Sequence, residues 1–105
     1  MSQLREVMED EFADLLQTYL DGVPRELQRL RDALAAQNAE VIIGCSHTLK
    51  GSSANLGILR LSQLFRELET LGRNGEVGGA AQAMLERIDT EFAVVRPLLE
   101  SALAR

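Results

Sequence analysis

The 105-residue sequence contains no tryptophan, one tyrosine, one cysteine, one histidine and two prolines. A single cysteine, Cys45, excludes an internal disulfide. One cysteine with one histidine gives a closed zinc site little support, so no metal or cofactor is expected in the chain. No apolar run approaches the roughly 20 residues needed to span a bilayer. The N-terminus lacks the basic segment and apolar core of a signal peptide, which makes the cytoplasm the expected location. Basic residues are outnumbered, 11 Lys plus Arg against 16 Asp plus Glu, for a formal charge of -5 with histidine neutral. That balance argues against nucleic acid or an anionic membrane as the primary partner.

What is present in quantity is Leu and Ala, recurring at helical spacing. With so few aromatics and prolines, this pattern argues for a helical bundle and against a disordered tail. One domain over residues 1–105 is expected. A chain of this size can bury roughly 60–70% of its unfolded surface, enough to fold without a metal or crosslinks.

Apolar residues at Phe12, Leu16, Tyr19 or Leu20, Val23, Leu27, Leu30 and Leu34 form one buried stripe and predict a helix from about Glu9 to Gln37. Ser2 to Val7 are compatible with a short leading helix. Pro24 lacks an N–H, so a kink there or a break near Asp21-Gly22 is expected, and the unbroken phase of the stripe favours the kink. Asn38 is suited to cap a second helix that turns Ile42, Cys45 or Ser46, Leu49, Ser53 and Leu56 to one face and reaches Gly57. A third, from Ile58 to Leu71, buries Leu61, Leu64, Leu68 and Leu71, and Gly72, Asn74 and Gly75 end it. After Gly78-Gly79 a last helix carries Met84 or Leu85, Ile88, Phe92, Val95, Leu99 and Leu103, with Pro97 near its end. The fold class predicted is all-α, an antiparallel up-down four-helix bundle with room for a short additional N-terminal helix.

At about 100° per residue, His47 lies about 160° from Leu49 of the core stripe and should face solvent. Ile43 and Gly44 stand one turn before it, Lys50 and Gly51 one turn after. Gly51 costs a mid-helix position roughly 0.5–1 kcal/mol relative to Ala, and its bare backbone lets a partner approach closely. Lys50 places a cation within reach of an anion attached to the ring. Ser53, small and on the inner face, suits tight helix packing.

If the chain reverses near Gly57 and Ile58, residues whose numbers sum to about 116 lie opposite one another, pairing His47 with Glu69 and Ile43 with Arg73. Glu69 falls at the edge of the buried stripe, about 80° from the Leu61 direction. Its carboxylate can accept the Nδ1 proton and leave Nε2 as an outward lone pair, which makes the oriented imidazole a nucleophile.

The segment His47-Thr48-Leu49-Lys50-Gly51-Ser52-Ser53-Ala54-Asn55-Leu56-Gly57 resembles the signature of histidine phosphotransfer (HPt) domains of two-component phosphorelays. The similarity continues in register through Leu61, Leu64, Phe65, Leu68, Glu69, Leu71, Gly72 and Arg73. The run Phe12, Leu16, Tyr19-Leu20, Pro24, Leu27 and Leu30 resembles the family's leading helix, while the last helix matches in periodicity only. The resemblance implies a four-helix bundle with phosphorylation at Nε2 of His47, Lys50 helping to neutralise the phosphoryl group and Gly51 leaving space for a receiver domain. The position of Glu69 holds glutamine in many phosphorelay domains and glutamate in the related domain of chemotaxis kinases.

The expected function is therefore that of a stand-alone carrier that takes a phosphoryl group from one receiver aspartate and relays it to another. It should neither hydrolyse ATP nor phosphorylate itself. Its expected partners are response-regulator receivers and the receiver of a hybrid sensor histidine kinase, with Mg²⁺ bound on the receiver. Ile43, Gly44, Gly51, Ala54 and Ile58, with Leu15 or Tyr19, are the candidate docking patch, and Lys50, Arg60 and Arg66 its positive rim. A monomer is expected, because the core stripes can satisfy one another.

Each of these residues has a plainer role to weigh. A lone histidine is more often a surface or structural group, Glu69 a surface carboxylate, and Arg60, Arg66 and Arg73 ordinary surface charges. Cys45 reads as a small buried hydrophobe. The alternative function is a helical adaptor that binds partners without phosphorylation, and a hydrolytic enzyme is disfavoured because no second catalytic group accompanies His47.

Overall fold

The computed structural model describes residues 2–104, with side chains from residue 11 onward. Four helices follow one another: α1 (Ser2–Ala35), α2 (Ala39–Asn55), α3 (Leu59–Arg73) and α4 (Gly79–Leu103). Each packs on its sequence neighbour and α1 closes against α4, giving the antiparallel bundle that the periodicity predicts.

Helix α1 runs unbroken from Ser2, so the leading segment is its first part and not a separate helix. It also continues through Pro24, and no break occurs at Asp21-Gly22. Pro24 sacrifices one backbone bond, while Leu20, Val23 and Leu27 around it are all buried and hold the helix to the core. At about 1.5 Å per residue, its 34 residues span the full 51 Å length of the molecule. It therefore outreaches the 17-residue α2. Phe12, expected to begin the buried stripe, lies on this overhang and is 50% exposed; the α1 core begins at Leu16.

All three turns use the same device. In each, one backbone N–H reaches back five residues to a carbonyl and the preceding N–H reaches back three: Asn38 to Ala33, Ile58 to Ser53 and Glu76 to Leu71, with Gln37 to Leu34, Gly57 to Ala54 and Gly75 to Gly72. This closure needs a left-handed residue just past the helix. Gly57 and Gly75 supply it at φ 76° and 74°, but the first turn uses Gln37 at φ 53°. Asn38 then caps α2 as predicted, its side-chain oxygen accepting the N–H of Val41 at 3.3 Å.

The core comprises the predicted stripes with Phe65 at its centre. Leu56, Leu71, Val95, Leu99 and Leu103 pack on its margin, half-buried. Both alternatives at Tyr19/Leu20 and at Cys45/Ser46 are buried, whereas Leu85 is buried and Met84 only half so. Among the described residues, one hydrogen bond between buried side chains crosses the interior: the Tyr19 hydroxyl lies 2.8 Å from the Ser53 hydroxyl, tying α1 to α2.

Candidate functional site

Helices α2 and α3 approach closely where α3 has no side chain. A Cβ on Gly72 would stand 3.0 Å from Cγ1 of Ile43 and 3.2 Å from Cγ2 of Ile42. Nearer the turn, the Ser62 hydroxyl donates to the carbonyl of Lys50 at 2.9 Å. Between these two contacts the pairing predicted for a reversal near Gly57 holds, and Glu69 faces His47 across the helix pair.

The His47 side chain is 63% exposed, and its Nδ1 lies 3.1 Å from Oε2 of Glu69, whose own side chain is 6% exposed. Two cations share this carboxylate. Lys50 Nζ donates to Oε1 at 2.8 Å, and Arg73 donates to Oε2 through Nε at 3.2 Å and Nη2 at 2.8 Å. Burial works against ionisation of Glu69, but the hydrogen bonds from Lys50, Arg73 and His47 outweigh it and hold the carboxyl at about 2. Because Glu69 is ionised, the ring nitrogen facing it carries the proton, so Nδ1–H donates and Nε2 is left outward as the free position of the neutral ring.

Two features differ from the sequence expectation. Lys50 is not a free cation beside the ring; it is half-buried and held by Glu69. Arg73 was paired only with Ile43, yet it belongs to the cluster. The signal for it was its place one turn after Glu69 on α3, where an i,i+4 acid–base pair forms.

The flanks of His47 are unequal. On its α3 side stand Lys50, Glu69 and Arg73; Gly44 opens toward the groove with α1, and at neither Gly44 nor Gly51 would a Cβ meet any atom within 4 Å. Lys50, Gly51, Ala54 and Arg66 line one groove between α2 and α3, with exposed Leu59 at its edge. Leu15, 61% exposed, joins Phe12, Thr48, Ser52 and Asn55 along an apolar cleft between α1 and α2.

Other expected docking residues lie elsewhere. Tyr19 is buried and bonded to Ser53. Ile43 is half-buried beneath Gly72, and Ile58 is half-buried against the core at the start of α3. Arg60 leaves the patch altogether: its Nε pairs with Glu91 of α4 at 3.1 Å. Nine residues along a helix amount to about half a rotation, which puts Arg60 on the face of α3 opposite Glu69. Cys45 is buried as expected, and burial, then Glu26, raises its thiol to about 11, so it is not a thiolate at neutral pH.

Chemically, the cluster offers one exposed nucleophilic nitrogen with its tautomer set, beside the Lys50 and Arg73 side chains. Among the described residues no group of three or more His, Cys, Asp and Glu is placed to hold a metal ion, and no helix is long and apolar enough to cross a membrane.

The Hpt domain family model matches residues 14–104. The crystal structure of histidine-containing phosphotransfer protein B (HptB) from Pseudomonas aeruginosa PAO1 superposes with a TM-score of 0.89 at 38% sequence identity. The match covers 99% of this chain and 90% of that one. The curated proteins contain no match.

Proposed function

The chain belongs to the Hpt domain family, phosphocarriers that relay phosphoryl groups in two-component signalling, and from that premise we propose that His47 is its phosphoacceptor. The observation that carries this assignment is the 3.1 Å contact between Nδ1 and Glu69, which leaves Nε2 outward on an exposed ring. In the loading step the Nε2 lone pair attacks the phosphorus of an aspartyl phosphate in line. The N–P bond forms as the P–O bond to the aspartate breaks, and the carboxylate leaves with its electron pair. The ring, still protonated at Nδ1, becomes cationic and is stabilised by Glu69. Delivery to a second receiver reverses these changes. Lys50 turns from Glu69 toward the phosphoryl oxygens, adding charge where it develops.

The partners are response-regulator receivers and the receiver of a hybrid sensor kinase. Mg²⁺ is expected in the receiver's acidic pocket, where it would neutralise the acyl phosphate. The bare backbone at Gly44 and Gly51 admits the receiver close to Nε2, while Ala54, Leu59 and Arg66 on one side and Leu15 on the other give it apolar and cationic contacts.

Transfer of radiolabel from a phosphorylated receiver with Mg²⁺ tests the assignment. Acid-labile, base-stable label is expected on the wild type and not on His47→Gln. Equal labelling of both would refute the site. No label on either, across a panel of receivers and with the fold intact, would favour an adaptor that works by binding alone.

A further inference from the structure

Resting on the assignment of His47 as phosphoacceptor, we propose that Arg73 is a positioning residue for transfer: it shares Oε2 of Glu69 with the His47 ring, so limiting the carboxylate's hold on the imidazole proton and keeping Nε2 an available lone pair.

The two oxygens of Glu69 hold different groups. Oε1 takes Lys50; Oε2 takes both the His47 Nδ1, at 3.1 Å, and Arg73, at 2.8 and 3.2 Å. An unshared, buried carboxylate beside an imidazole favours the imidazolium, which has no lone pair with which to attack phosphorus. With Arg73 and Lys50 in place the cluster already has a net charge of one positive when the ring is neutral. Protonating Nε2 would place three cations around one carboxylate and raise the net charge to two positive, which the cluster resists.

The two cations are not equivalent. Lys50 sits on α2 one turn from His47 and is the cation that an incoming phosphoryl group would draw away from Glu69. Arg73 comes from α3, four residues after Glu69, so its grip depends on one helix alone. It grips Oε2 through two nitrogens, and remains there when Lys50 turns outward.

The other charged groups near the ring do not duplicate this role. From α1, Glu26 and Arg29 reach the groove beside Gly44 and Thr48, where they pair with each other at 3.5 Å. Glu40 lines that same groove a further turn away on α2, and Arg66 lies on the α2–α3 groove below Lys50.

His47 is the only histidine, so its ring resonances are unambiguous in a nuclear magnetic resonance titration of the intact protein. The proteins to titrate are the wild type, Arg73→Gln, Glu69→Gln and the double variant. The Arg73 side chain is 59% exposed, and its loss should leave the fold intact, as amide spectra would verify. In Arg73→Gln the His47 midpoint should rise by about half a unit or more, and the pH profile of phosphoryl acceptance should shift upward with it. In the Glu69→Gln background the same substitution should move the midpoint less than half as far, because the shared oxygen is gone. An unmoved midpoint, or a shift of equal size in both backgrounds, would overturn the proposal, the latter by showing a direct charge effect without Glu69. Labelling from a receiver is read separately. A wild type that accepts no phosphoryl group would overturn the function and the role of Arg73 in it, whereas normal labelling with an unmoved titration would overturn the role of Arg73 alone.

Discussion

Gly72 meets Ile43 with no room for a side chain between them: a Cβ on the glycine would lie 3.0 Å from Ile43 Cγ1. This close approach lets a glutamate three residues earlier on α3 reach an imidazole on α2. Gly72→Val is expected to destabilise the domain by about 1–3 kcal/mol through overpacking, in excess of any gain in helix propensity. Urea unfolding measures the loss. A valine accommodated without cost would show that the helix spacing does not depend on this glycine.

Glu69 ties stability to pH. Its carboxyl ionises at about 2 in the folded protein, against an ordinary value of 4.5. As pH falls below about 5 the unfolded chain takes up this proton first, so the stabilisation is complete above that pH and drains away toward pH 2. Roughly 2 kcal/mol is at stake, after allowance for solvent screening of the exposed His47 and Arg73 side chains. Unfolding free energies between pH 6 and 2.5 should show this loss in the wild type and a flatter profile in Glu69→Gln.

Gly51 separates stability from function. Its Cβ direction opens to free space in the middle of α2, so Gly51→Glu should fold and gain about 0.5 kcal/mol of helix propensity. The same side chain would stand in the path proposed for the receiver, and phosphoryl transfer should slow at least about tenfold, a barrier increase of about 1.4 kcal/mol. Calorimetry and transfer rates on one preparation check both effects. Ile43, expected to behave similarly, is a poorer test because it packs against Gly72.

Gln37 occupies a backbone position that the other two turns give to glycine, at φ 53°. Gln37→Gly should raise stability by roughly 0.5–1 kcal/mol, the relief of left-handed strain exceeding the added entropy of the unfolded chain. A thermal melt with a raised midpoint would bear this out.

Tyr19 and Ser53 form a buried polar crosslink at 2.8 Å, and burial pushes the tyrosine's pKa up, so its hydroxyl stays protonated. Tyr19→Phe strands the Ser53 hydroxyl and should cost about 1–2 kcal/mol. Adding Ser53→Ala should recover part of that loss, because it removes the stranded group. Equal stabilities for the single and double variants would argue against the bond.

Helix periodicity, the Asn38 cap, the glycine at Gly57 and the exposure of His47 were all legible in the order of residues, because each depends on neighbours within about one or two turns. The Glu69 contact was legible too, since a short turn leaves two antiparallel helices almost no freedom of register. What only the tertiary structure decided depends on several helices at once. Phe12 is exposed because α1 outreaches its neighbours, and Arg60, which helical spacing already sets opposite Glu69, finds its partner because α4 presents Glu91 there. Lys50 and Arg73 converge on one buried carboxylate because Gly72 lets two backbones approach. Local spacing sets which face a residue takes, whereas the partner it finds there is set by the distance and length of the helices packed beside it.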